Sequence, residues 1–115
     1  MAKIKTHMND CEQVLGESFI KVHLWLDAYA KKYNPHIYLE YHRQFRHHAE
    51  GVKEVGKKFG YYAEVAAKLH IIRDCHMYVI FNINTLREDM IENLYQQALK
   101  FCHSIPQNED WKEDI

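Results

Sequence analysis

Chain-breakers are scarce in this sequence, which has only four glycines and two prolines among 115 residues. That scarcity argues against many short strands joined by tight turns, and it favours long helices. An excess of charge is missing too. Fifteen basic residues stand against sixteen acidic ones, a formal net charge of -1, so no global field holds the chain on nucleic acid or on an anionic membrane. Cysteine is sparse: Cys11, Cys75 and Cys102 are odd in number, far apart and free of any C-x-x-C pairing. Neither a disulfide framework nor a thiolate zinc site is expected, and the thiols are expected to be reduced. No apolar run approaches the roughly 20 residues of a membrane span. Residues 1–7 lack the apolar stretch of a secretion signal, and a cytoplasmic location is the expectation.

What remains is a chain of single-domain size that is 47% hydrophobic and 13% aromatic. We expect an all-α, single-domain helical bundle of about five helices over residues 1–106, followed by an acidic, loosely ordered tail over 107–115. The isolated breakers set the boundaries. A first helix is expected over 6–15, stopped by Gly16, and a second over 17–33, stopped before Asn34 and Pro35. Tyr38, Tyr41, Phe45, His48, Val52, Val55 and Phe59 follow at alternating steps of three and four, the seam of one continuous third helix ending at Gly60. Tyr62, Val65, Leu69, Ile72, His76 and Ile80 repeat that spacing on a fourth. Thr85 and Glu88 form a capping-box pattern that opens a fifth helix running to about residue 103, with Leu86, Met90, Leu94, Ala98 and Phe101 inward.

Histidine is the one residue in unusual supply. There are nine, and seven of them lie between His23 and His76. Two short patterns stand out, His23-x-x-x-Asp27 and His70-x-x-x-Asp74. A step of four residues is about one helical turn, so each pattern puts an imidazole and a carboxylate on one face. Taken singly, such a pair also reads as a helix-stabilising contact. Two of them, with His47 and His48 on a helix between, describe the way bundles converge ligands from several helices on a metal. Imidazole nitrogen and carboxylate oxygen without thiolate suit a divalent Zn, Fe, Mn or Ni ion rather than a closed cysteine site. Arg43, Arg46 and Arg73 are candidate donors to an anion such as a phosphate. Residues 51–57 match G-x-x-x-x-G-K, but Lys58 stands where a phosphate-binding loop needs Ser or Thr and no strand precedes it, so this stretch reads as helix.

The order His7, His23-x-x-x-Asp27, His42-Arg43-x-x-Arg46-His47-His48-x-x-Gly51, Phe59-Gly60 and His70-x-x-x-Asp74 resembles a family of small bacterial and phage helical proteins, a domain of unknown function. The likeness spans roughly residues 7–75. It implies that His23, Asp27, Arg46, His47, His48, His70 and Asp74 act as one set, and it supplies no reaction. A looser likeness to histidine-aspartate metal phosphohydrolases lacks their adjacent His-Asp dipeptide.

The leading expectation is therefore a metal-binding helical domain with ligands drawn from His23, Asp27, His47, His48, His70 and Asp74. If it is an enzyme, metal-activated water attacking a phosphate-containing substrate is the simplest chemistry. The alternative is a non-enzymatic, phage-encoded module binding a nucleotide-like anion or a host protein. General nucleic-acid binding and membrane association are not expected. A homo-oligomeric bundle with histidines as core polar groups is a third reading.

Overall fold

The computed structural model describes residues 3–28, 46–75 and 86–102, and among them the chain is all-α, with five helices and no strand. We number these α1 (Ile4–Leu15), α2 (Ile20–Leu26), α3 (Ala49–Phe59), α4 (Tyr61–Asp74) and α5 (Glu88–Cys102). No helix among the described residues is long and apolar enough to cross a membrane. The expected tail lies outside the described residues, as do His42, Arg43, His76, the Thr85 cap and the break over 82–84.

Helix α1 stops where expected. Gly16 takes a left-handed φ of 83° and returns its N–H to the Glu12 carbonyl, satisfying one orphan acceptor. Its inward face is His7, Asp10 and Cys11. Helix α2 starts later than expected, because Phe19 adopts φ 53°, a left-handed conformation that interrupts the helix over 17–33. The helix buries Val22, Trp25 and Leu26 and turns Ile20 and Leu24 outward.

The expected third helix is not continuous through His48. That residue is extended (φ -149°, ψ 172°) and caps α3, its Nδ1 accepting the Gly51 N–H at 2.9 Å. The periodicity misled because Val52 and Val55 do lie inward, while the turn at 46–48 directs three polar residues, Arg46, His47 and His48, into the core instead of along a helix face. Gly51 makes that turn possible. A Cβ there would collide with the Arg46 carbonyl, with the carbonyl carbon at 2.9 Å. Gly51→Ala is expected to lower the unfolding free energy by about 1–3 kcal/mol, read as a reduced urea midpoint at unchanged slope.

Gly60, at φ 103°, joins α3 directly to α4. Helix α4 packs against each of the other four helices and is buried on nearly every side, from Ala63 through Asp74. Ala63, Val65, Ala66, Ala67, Leu69, Ile71 and Ile72 give it apolar positions on more than one face, as suits a helix in a core. The narrow seam expected for it therefore understated its burial and overstated Tyr62, which is exposed, as is Phe59. It ends at Asp74, capped by Cys75, and the expected stretch from 76 to 80 lies outside the described residues. Helix α5 lies across it with Ile91, Leu94, Tyr95 and Ala98 inward, and at the rim the Tyr61 hydroxyl donates to Glu88 and Lys68 to Glu92, both at 2.6 Å.

One expectation about cysteine fails. Cys11 is free and buried, but Cys75 is disulfide-bonded. Sequence separation hid this, because α4 packing on α5 brings the Cys75 sulfur within 3.9 Å of the Ala98 carbonyl, a neighbour distant in sequence.

Candidate metal centre

Four segments meet at the middle of the bundle. Helix α1 brings His7, α2 brings His23 and, at its C-terminal cap, Asp27. The 46–48 turn brings His47, and the last turn of α4 brings His70 and Asp74. Every one is buried except Asp27, whose side chain keeps 10% of its exposure.

The closest set is Asp27, His47, His70 and Asp74, whose potential ligand atoms all lie within 4.8 Å of one another. His47 Nε2 is 3.3 Å from Asp27 Oδ1 and 3.2 Å from Asp74 Oδ2. His70 Nε2 is 3.1 Å from the same Asp27 oxygen and 3.3 Å from the same Asp74 oxygen. Each imidazole thus faces both carboxylates through one nitrogen, and each carboxylate faces both imidazoles through one oxygen. Zinc bonds of about 2.0–2.1 Å to such atoms place the corners of a tetrahedron about 3.3 Å apart. The four edges just given match that spacing, and a divalent cation would cancel the two carboxylate charges. His/Asp groups close enough to hold a metal ion are thus a property of this fold.

A second group, His7, His23 and His70, is also compact and fully buried. Its rings are nearly parallel: His7 stacks on His70 with centroids 3.5 Å apart and an interplanar angle of 11°, and on His23 at 5.4 Å and 19°. Imidazole lone pairs lie in the ring plane, so His7 and His70, face to face, cannot aim at one common point, whereas His23 meets His70 through its Nδ1 at 3.0 Å. His7 Nε2 instead meets Asp74 Oδ1 at 3.1 Å, leaving Asp74 Oδ2 to the ligand set. Its Nδ1 is buried without a hydrogen-bond partner.

The electrostatics follow from this packing. For His70, burial alone favours the neutral ring, but the Asp27 charge and the carboxylate hydrogen bonds outweigh it and raise the pKa to about 9. Burial pushes the Asp27 and Asp74 carboxyls up, and the His70 charge on Asp27 and the His47, His7 and His70 contacts on Asp74 reverse that, holding both well below the usual carboxylate range. His23 falls to about 3, chiefly through burial and then through the neighbouring His70 and His7, and His7 is lowered for the same leading reason.

The structure does not gather all the expected residues. His48 is spent on the α3 cap and belongs to neither compact group. Among the described residues, the two arginines expected at an anion meet protein groups: Arg46 is buried, donates to the Trp25 carbonyl at 2.6 Å and lies over the Trp25 ring at 4.0 Å, fastening the 46–48 turn to α2. Arg73 makes a two-pronged contact with Asp10, both bonds 2.7 Å, tying α4 to α1. Arg43 lies outside the described residues. Arg73→Ala is expected to cost about 2 kcal/mol, because it strands a buried carboxylate, while leaving metal stoichiometry unchanged. Thermal denaturation and elemental analysis of that variant check both halves.

His7 and Asp10 were not in the expected set. Their signal was faint but present: with Cys11 and Val14 they fall at helical spacing on the inward face of α1, two polar residues where a core helix should be apolar. Comparison with models of protein families, with curated proteins and with solved structures finds no match to this chain. What fold and site define together is a helical bundle whose core gathers imidazoles and carboxylates at metal-ligand spacing.

Proposed function

We propose that this protein is a metal-binding helical domain in which Asp27, His47, His70 and Asp74 hold one divalent cation. The observation that carries this reading is the set of four cross distances of 3.1–3.3 Å among two imidazole nitrogens and two carboxylate oxygens in a buried core. The absence of sulfur from the set and the match of its four cross distances to the edges of a zinc tetrahedron favour zinc, with iron, manganese or nickel as competitors. The residues are those of the pattern that resembles the small bacterial and phage family, which leaves the reaction open.

Burial supports a structural or sequestering role for the cation ahead of hydrolysis. Turnover of a phosphate ester by metal-activated water needs a coordination position that substrate can reach, and of the four candidate ligands only the Asp27 side chain, at 10%, is exposed beyond 2%. A nucleotide-like anion as the primary ligand draws less support still, since Arg46 and Arg73 are engaged with Trp25 and Asp10.

Titration calorimetry of chelator-treated protein with zinc tests the proposal. One equivalent should bind in the parent chain and none in Asp27→Ala, and binding undiminished in that variant would sink the assignment. At pH 7 the cation has to displace the proton that His70 holds, so repeating the titration in buffers of different ionisation enthalpy should show at least about one proton released per ion.

A further inference from the structure

The two H-x-x-x-D patterns are alike in sequence and unlike in position. His70 faces the carboxylate pair through Nε2. His23 turns away from it. Its Nε2 lies 2.9 Å from the Ser18 carbonyl oxygen, and its Nδ1 lies 3.0 Å from His70 Nδ1. A carbonyl only accepts, so His23 donates from Nε2 and carries its lone pair on Nδ1. That lone pair accepts from His70 Nδ1–H. The chain of bonds thus runs from the cation position through His70 and His23 to the backbone at Ser18, and it leaves His70 Nε2 as the nitrogen that faces the cation position.

The backbone is shaped to hold that anchor. The Ser18 carbonyl belongs to the peptide whose direction is set by φ of Phe19, and Phe19 is the one non-glycine residue at positive φ among the described residues. A bulky side chain in that region is a strained choice, and strain of this kind gathers where geometry has a task.

We infer that His23 is a positioning residue and not a metal ligand: it fixes the tautomer and ring orientation of His70 through a Ser18–His23–His70 relay. Outer partners of this sort commonly set ligand basicity and orientation at metal sites. The inference rests on the metal-centre reading above and deepens it, since it assigns different duties to two residues that sequence pattern makes equivalent.

Full-length protein labelled with ¹⁵N in its imidazoles and loaded with ¹¹³Cd supplies the test. Scalar coupling from cadmium should appear on one nitrogen each of His47 and His70, and on neither nitrogen of His23, while His70 Nδ1 keeps its proton. Coupling to His23 would overturn the inference and make it a ligand, leaving the metal centre intact. No cadmium binding in the parent protein would overturn both. As a second arm, His23→Leu removes the acceptor and should weaken zinc binding 10- to 100-fold with stoichiometry still one, whereas His23→Asn, which keeps a polar group near the Nδ1 position, should recover part of that loss. If His23→Leu does not fold, the coupling pattern of the parent protein and the Asn variant decide. Equal affinity in all three proteins would contradict the relay.

Discussion

Asp74→Ala is expected to abolish metal binding and to be the most destabilising single substitution in the core. Asp74 is the carboxylate on which His7, His47 and His70 all converge, at 3.1, 3.2 and 3.3 Å. Removing it takes away a candidate ligand and, in the metal-free protein, the counter-charge to a buried imidazolium. Deleting one partner of a buried charged network costs about 3–5 kcal/mol, because the survivor stays desolvated and unpaired. Urea denaturation of the metal-free variant should show a loss of that order, and elemental analysis should find no bound ion. A loss below about 1 kcal/mol with metal retained would mean that the imidazoles have other partners.

The second large effect is the pH dependence of the metal-free protein, and its sign differs on the two sides of neutrality. His70 is raised from 6.5 to about 9 in the folded state. Its contribution is therefore fully present below pH 6.5 and is lost as pH rises through about 9, a loss on the order of 3 kcal/mol. His23 is lowered to about 3 and His7 is lowered as well. The unfolded chain therefore binds their protons more readily, and stability falls as pH drops below 6.5. Asp27 and Asp74 are held below their ordinary 3.8, so their contribution is present above that pH and is lost with further acidification. Stability of the chelator-treated protein should peak near pH 6.5 and fall from there to about pH 9. In the metal-loaded protein the ion takes the place of the His70 proton, so the alkaline loss should vanish. Melting curves from pH 5 to 10, with and without one equivalent of zinc, separate the two. Parallel curves on the alkaline side would show that the ion and the proton do not compete for His70.

The helical class was legible in the sequence because it depends on few and local signals. Scarce breakers and the left-handed requirement at Gly16 and Gly60 fixed two helix boundaries without reference to anything distant. The two H-x-x-x-D patterns likewise pointed to His70, Asp27 and Asp74, since one helical turn puts such pairs on a common face. The reading failed where an inward direction comes from a turn. His48 sits on a perfect helical seam by spacing, yet the chain bends at 46–48, so His47 enters the core set and His48 caps α3. That bend depends on the close approach of the Arg46 carbonyl to Gly51, which no periodicity reports. The equivalence of His23 and His70 in sequence has a related limit. Spacing states which face a side chain shares but not which nitrogen it presents, and that is decided by the Ser18 carbonyl across the loop. A guanidinium close in sequence to histidines can serve the scaffold as well as an anion, and sequence spacing does not show that Arg46 lies on Trp25 and Arg73 on Asp10.

Elemental analysis of protein purified without a polyhistidine tag tests the central claim most directly. Near one equivalent of zinc, iron, manganese or nickel per chain, retained through gel filtration and lost in Asp27→Ala, is the expected result. Protein that carries no metal as isolated and takes up none after exposure to each of the four ions would contradict it.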